Sequence, residues 1–321
     1  MSILLDPLPL TRRTTPGRAA FWFGLYFTMI IIGGVLAGAF FIRLGLQAES
    51  GWWFDFIETH GPARILRRFQ TLLAILLAPW ILKKMGWRGF RDLGWNSDQS
   101  RADRHRDFWL WYGLGFLTMT VIFTVSITTG IREWHAFSLS RWLGGVFKAF
   151  LVTGIGVGII EETLTRGVLY RTMEKAWTPW VGAWVSSLLF AWAHFMEATP
   201  ASFDVSVWAV LSSALFSEFT NPVVPLKFLN LLVFGLVLSR LVYYRGDIWA
   251  AVGLHASAVG CIRWFTQQST FNLDISYQPW IGGHSSKFDD GWLLTLSLLL
   301  LLSGIEWVYR SPSSSSRRVH F

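Results

Sequence analysis

One cysteine, Cys261, stands in a chain of 321 residues, so neither an intramolecular disulfide nor a multi-cysteine metal site can form, and a packing role is expected for it. Charge is scarce as well. Asp, Glu, Lys and Arg make up 15% of the chain against 52% hydrophobic residues, with a mean hydropathy of +0.41. Average soluble domains carry about 25% charged residues, so lipid is expected to be the main solvent of this chain. No long-period repeat recurs, which argues against a carrier built from matching halves. No H-E-x-x-H occurs, which removes the signature that sets two zinc-binding histidines on one helix face. The net charge of +8 is not concentrated on any soluble domain, so nucleic acid is excluded as a partner.

What the chain has in abundance is long apolar runs. A bilayer core needs roughly 20 mostly apolar residues per helix. Windows of that kind run over Ala19–Ile42, Ile65–Leu82, Phe108–Thr129, Trp142–Ile160 continuing toward Tyr170, Trp180–Phe195, Leu226–Tyr244, Ile248–Phe265 and Trp292–Tyr309. The expected fold class is all-α, a polytopic transmembrane bundle of about eight spans. A shorter stretch, Val205–Phe219, carries Ser206, Ser212, Ser213 and Glu218, and suits an interfacial or re-entrant piece. The first run is longer than a signal-peptide core and is expected to remain as a span. Many of the twenty tryptophans fall near span ends, as aromatic belts do.

Lys and Arg mark the cytoplasmic side of short loops. The loop from Lys83 to Asp107 holds Lys83, Lys84, Arg88, Arg91, Arg101, Arg104 and Arg106, which places it inside. Arg12, Arg13 and Arg18 then lie inside too, and eight spans return Arg310, Arg317 and Arg318 to the same side. The expectation is an integral, multi-pass protein with both termini cytoplasmic and a disordered tail at Ser311–Arg318.

Ionisable residues within spans are costly and so informative. His60, His105, His135, His284 and His320 fall in loops or tails, whereas His194 and His255 lie inside the apolar runs LLFAWAHF and WAAVGLHASAV. A third oddity is GIGVGIIEETLTRGVLYR, which sets Glu161, Glu162 and Arg166 directly after an apolar segment. Residues four apart share a helix face, so Glu162 and Arg166 are expected to pair as a structural ion pair. Glu161 points about 100° away, and its i+4 neighbour is Thr165, which leaves it in need of a proton, a water, a metal or a histidine. Gly154 and Gly158 form a G-x-x-x-G whose first meaning is close helix packing; room for an extended substrate beside Glu161 is the second. Phe190 shares a face with His194 and can wall the imidazole.

Glu161, His194 and His255 on three helices could activate one water. Glu161 would be the general base, and the histidines would either orient the water and stabilise an oxyanion or hold a metal. A zinc site from those three residues, with an open position for water, stays open on composition alone. The expectation is a glutamate mechanism with no cofactor.

At these residues the sequence resembles the CAAX protease and bacteriocin-processing family of intramembrane endopeptidases, which includes the type II CAAX prenyl endopeptidase. The family's EExxxR is matched by Glu161-Glu162-Thr163-Leu164-Thr165-Arg166, its FxxxH by Phe190 to His194, and its third region by FGLVLSRLVYYRGDIWAAVGLHA, Phe234 to Ala256. The resemblance covers about Leu151 to Gly260. It implies a helical membrane core at 141–265, flanked by N-terminal helices and a basic loop at 1–140 and by an extramembrane loop, a last helix and a tail at 266–321. It further implies hydrolysis of a peptide bond in a membrane-associated or lipidated protein or peptide. Glu161 would be the base, His194 and His255 its partners, and Glu162, Arg166 and Phe190 supporting residues. One departure is Val259, where the family places asparagine or aspartate; Ser257, Arg263 and Asn230 are the candidates to replace that donor. Two other readings remain: a non-catalytic membrane scaffold or immunity-type relative, and a transporter. Along a regular helix from Trp142, Glu161 falls near the cytoplasmic end while His194 falls near the outer end of the next span, so offset spans are expected.

Overall fold

The computed structural model describes residues 16–47, 50–84, 89, 92–95, 99–136, 138–195, 224–272, 279–282 and 290–310. The expected interfacial stretch Val205–Phe219, the arginine pairs at 12–13 and 317–318, and the serine-rich tail lie outside them. The described residues fall into two compact units, one within Gly89–Ala191 and Pro225–Phe321, the other within Pro9–Arg88 and Trp192–Val224.

The second unit is built from α1 (Pro16–Thr28), a wide π-helical turn (Met29–Gly33), α2 (Gly34–Gln47), α3 (Trp52–His60) and α4 (Pro62–Lys84). Small residues set the spacing between α2 and α4. A Cβ on Gly34 would stand 2.9 Å from the Gln70 Cα, and one on Gly38 would stand 3.2 Å from the Leu66 Cα. Lipid supplies no hydrophobic drive for helix association, so close backbone approach of this kind is what holds such pairs. Val35, Ile42, Ile57, Ile65 and Leu66 fill the seam, and the buried Tyr26 hydroxyl donates to the Ala74 carbonyl at 2.7 Å.

The first unit opens with α5 (Arg101–Thr128), whose N-cap Ser100 accepts the Asp103 amide at 3.1 Å, as capping serines do. A single helical rod follows: α6 (Leu139–Val146), a π stretch (Phe147–Ile155), α7 (Gly156–Glu162), a second π stretch (Thr163–Tyr170) and α8 (Arg171–Ala176). The regular helix expected from Trp142 onward is thus corrected, since π turns flank the acidic pair on both sides. Such turns gather at functional sites because they re-aim side chains. Next come α9 (Pro179–Ala193), α10 (Val224–Arg245), α11 (Trp249–Gln268) and α12 (Trp292–Arg310). A short antiparallel ribbon, β1 (Arg132–Trp134) with β2 (Ser269–Phe271), pairs Arg132 with Phe271. The purely helical expectation gains this small exception: two three-residue segments carry no periodicity that could announce them.

Helix α11 is the buried element. Every residue from Ala250 to Ser257 is enclosed, because glycines on both flanking surfaces admit it. A Cβ on Gly115 of α5 would stand 2.9 Å from the Leu254 side chain, and one on Gly158 of α7 would stand 3.2 Å from the Ala256 nitrogen. Cys261 is buried beside Met119, Phe265 and Leu294, in the packing role expected of it.

Six described helical stretches are long and apolar enough to cross a membrane: Phe21–Gln47, Arg64–Lys84, Arg101–Thr128, Trp142–Ala176, Pro225–Arg245 and Trp292–Arg310. Apolar side chains such as Leu117, Leu151, Leu300 and Trp307 stand exposed on them, as lipid-facing residues do. The protein is therefore an all-α, polytopic, integral membrane protein. Of the eight expected spans, the other two are helices α9, only 15 residues long, and α11, whose His255, Ser257, Arg263, Gln267 and Gln268 lower its hydropathy.

Side-chain contacts align the helix ends of the first unit. Arg245 of α10 pairs with Asp107 of α5, and the Arg171 Nη2 donates to the Gly246 carbonyl at 2.5 Å. Glu306 of α12 accepts from Arg240 at 2.5 Å and from the Tyr244 hydroxyl at 2.8 Å. The basic ends of α5, α8, α10 and α12 thus share one side of this unit, while the ribbon joins the far ends of α5 and α11.

Candidate active site

Close packing of α7 on α11 creates the site. The G-x-x-x-G face brings the rod against the α11 backbone at Ala256, where a Cβ on Gly154 would come within 2.5 Å of the carbonyl oxygen. The packing meaning of those glycines is the one realised here, and it sets the end of α7 beside His255.

Glu162 is fully buried, and its Oε1 takes two donors. The ion pair read from the i,i+4 spacing is present, with Arg166 Nη1 at 3.0 Å. The same oxygen lies 2.7 Å from Nδ1 of His255. The second bond was not foreseen, because no local spacing links residues 93 positions apart. With a carboxylate facing Nδ1, that nitrogen is assigned as the donor, which turns Nε2 toward Glu161.

Arg166, also fully buried, does more than balance Glu162. Its Nη2 donates to the Gly235 carbonyl at 3.1 Å, its Nη1 to Thr165 Oγ1 at 2.6 Å, and its guanidinium lies 4.6 Å from the Phe190 ring centre. Both Nη atoms are hydrogen-bonded while the buried Nε takes no hydrogen-bond acceptor, and the ring face takes part of the remaining charge. Phe190 packs against Arg166 and also against His255, whose ring it meets nearly perpendicularly at 5.8 Å. Phe234 also meets the imidazole nearly perpendicularly, at 5.4 Å.

Glu161 faces elsewhere, as the helical argument required. Its side chain is about a third exposed, and Oε2 stands 3.8 Å from His255 Nε2. That separation is too long for a direct hydrogen bond. It lets both groups contact one water lying off the line between them. One carboxylate is thus buried and fixed, and its neighbour is open and available.

The structure joins Glu161, Glu162, Arg166, Phe190 and His255. His194 lies in the turn that follows α9, is exposed, and falls in the second unit. Two of the candidates to replace the family's asparagine or aspartate are committed elsewhere. Ser257 donates to the Leu254 carbonyl at 2.9 Å on the side facing Gly115, while Asn230 donates to the Gly291 carbonyl at 3.2 Å and accepts from Thr295 at 2.5 Å. Arg263 is exposed, and Val259 is half-buried one turn beyond His255. Among the described residues, no three His, Cys, Asp or Glu side chains converge as a metal site.

Fold and site together define a polytopic helical membrane protein with a buried Glu-Arg-His cluster beside an accessible glutamate. Residues 144–260 match the family described as type II CAAX prenyl endopeptidase Rce1-like, a family of proteases. The match spans a little over a third of the chain and contains all six motif residues, from Glu161 to His255. No curated protein and no solved structure matches the chain.

Proposed function

We propose that the protein is an intramembrane endopeptidase that cuts a peptide bond in a membrane-associated or lipidated substrate, using a water activated by Glu161. The observation that carries this reading is the Glu161–His255 pair at 3.8 Å, with the far nitrogen of the same imidazole fixed by buried Glu162 at 2.7 Å. As the water oxygen attacks the carbonyl carbon, Glu161 takes its proton. The resulting oxyanion meets His255, which when protonated offers Nε2–H as a donor. Glu161 then returns the proton to the amide nitrogen as the C–N bond breaks, releasing an amine and a carboxylic acid, whose remaining proton passes to the amine or to water. The motif reading adds His194 as the second histidine. Glu162, Arg166 and Phe190 hold His255 in place. The described residues offer no zinc ligand set, so no step is routed through a metal.

Both termini are assigned to the cytoplasm. The support for the C-terminus is the shared side of the basic helix ends, which carry Arg101, Arg104, Arg106, Arg171, Lys175, Arg245 and Arg310, and for the N-terminus the run of Arg12, Arg13 and Arg18 in the sequence.

A second reading, that of a non-catalytic membrane scaffold, is favoured by Val259, since losing one oxyanion donor typically costs about 100-fold to 1000-fold in rate. The experiment that separates the two uses purified protein in lipid vesicles with peptides bearing a prenylated C-terminal cysteine motif and their unlipidated counterparts, read by mass spectrometry. A defined new C-terminus supports the peptidase. Intact peptides of both kinds after prolonged incubation support the scaffold.

A further inference from the structure

Helix α10 contributes no acid, base or histidine to the site, yet two adjacent residues on it touch both partners of Glu162. The Gly235 carbonyl accepts Arg166 Nη2 at 3.1 Å, and the Phe234 ring stands nearly perpendicular to the His255 imidazole, 5.4 Å between centres. A helical carbonyl has two lone pairs, so it can serve the helix ladder and the guanidinium together. Glycine is needed at 235 because a Cβ there would stand 2.8 Å from Ser187 Cβ and 3.0 Å from Ser187 Cα, in the backbone of α9. Phe234 also meets Phe190, tilted, at 6.4 Å, so the two rings, each nearly perpendicular to the imidazole, form one packed group with it. The rotation of α10 about its axis is fixed on either side of this pair. Asn230 is tied to Thr295 and Gly291, and Arg240 is tied to Glu306, all from α12 or its first approach. These anchors lie beyond residue 260, outside the matched segment.

We propose that Phe234 and Gly235 are positioning residues for the Glu162–His255 pair: Gly235 locates Arg166, Phe234 sets the plane of the imidazole, and α12 holds both in register. An imidazole free to tilt would lose the 2.7 Å bond to Glu162 and swing Nε2 away from Glu161. Misplacement of about 1 Å can cost on the order of 100-fold in rate. The inference rests on the peptidase reading only for its kinetic consequence.

The test therefore combines a readout that needs no substrate with one that does. In purified protein labelled with 15N-histidine, a ring proton donated to a buried carboxylate gives a downfield, slowly exchanging signal, assigned by its loss in His255→Ala. Phe234→Tyr is expected to keep that signal. Phe234→Leu is expected to lose or broaden it while the melting temperature stays near that of the wild type, and to lower kcat about tenfold or more with KM little changed. Should Phe234→Leu fail to fold, Phe234→Met carries the same expectation. An unaltered His255 signal in the folded Leu or Met variant overturns the proposal, as does a kinetic effect confined to KM. A wild type that shows the signal, loses it in Phe234→Leu and cuts no peptide refutes the peptidase reading while leaving the positioning intact.

Discussion

Removing the charge of Glu162 should be worse for the fold than removing that of Arg166, although the two form one ion pair. Both side chains are fully buried. In Glu162→Gln, Arg166 keeps the Gly235 carbonyl, the Thr165 hydroxyl and the Phe190 ring, but loses the carboxylate bonded to it. A guanidinium cannot shed its proton to escape. Stranding one buried charge in this way typically costs roughly 3–5 kcal/mol. In Arg166→Met the stranded group is the Glu162 carboxylate, and it still accepts from His255 at 2.7 Å. That bond keeps the carboxylate partnered, so the loss should fall to about 1.5–3 kcal/mol, the scale of one hydrogen bond to a charged group. Thermal unfolding of the two purified variants in the same detergent decides the matter. A larger destabilisation in Arg166→Met than in Glu162→Gln would refute the assignment of His255 as the partner that shares the Glu162 charge.

Other consequences are more local. Val259→Asn, one turn beyond His255, should raise the cleavage rate by about tenfold or more if the oxyanion lacks a donor; an unchanged rate would mean that another group already fills the role. Reporter fusions at residue 95 and after residue 310 should both read cytoplasmic, and an outside reading at either would overturn the parity of spans. Glu306→Gln should leave Arg240, which is 2% exposed, without its carboxylate and cost about 1–3 kcal/mol of stability. Unchanged melting would show that the rings of Trp180, Tyr243 and Tyr244 around the guanidinium suffice.

How much of this could be read from the sequence depends on whether the cause is local. Long apolar windows mark α4, α5, α10 and α12 because lipid acts on each helix separately, and the Glu162–Arg166 pair is visible because four residues return to one face. Helix α11 is read as another apolar run, but its polar residues are tolerated because glycines of α5 and α7 enclose it. The π turns on either side of the acidic pair leave no mark, since they arise from the packing of the whole rod. Glu162 presents itself as one half of an ion pair. Its second role appears only when α7 meets α11, and the same holds for Phe234 and Gly235. Asn230 reads as a candidate oxyanion donor, whereas its amide is held by Gly291 and by Thr295 of α12. The site residues that carry charge were legible; the contacts that orient them were not.

The central claim is that the exposed carboxylate, Glu161, does the chemistry while its buried neighbour holds the histidine. Glu161→Gln keeps the size and hydrogen-bonding capacity of the side chain at a position about a third exposed, so folding should be unaffected. The decisive measurement is cleavage of a prenylated peptide by purified wild-type and Glu161→Gln proteins matched for melting temperature and amount. The expected result is product from the wild type and a loss of at least about 100-fold in the variant, the scale of a positioned general base. Cleavage by Glu161→Gln at the wild-type rate would contradict the account.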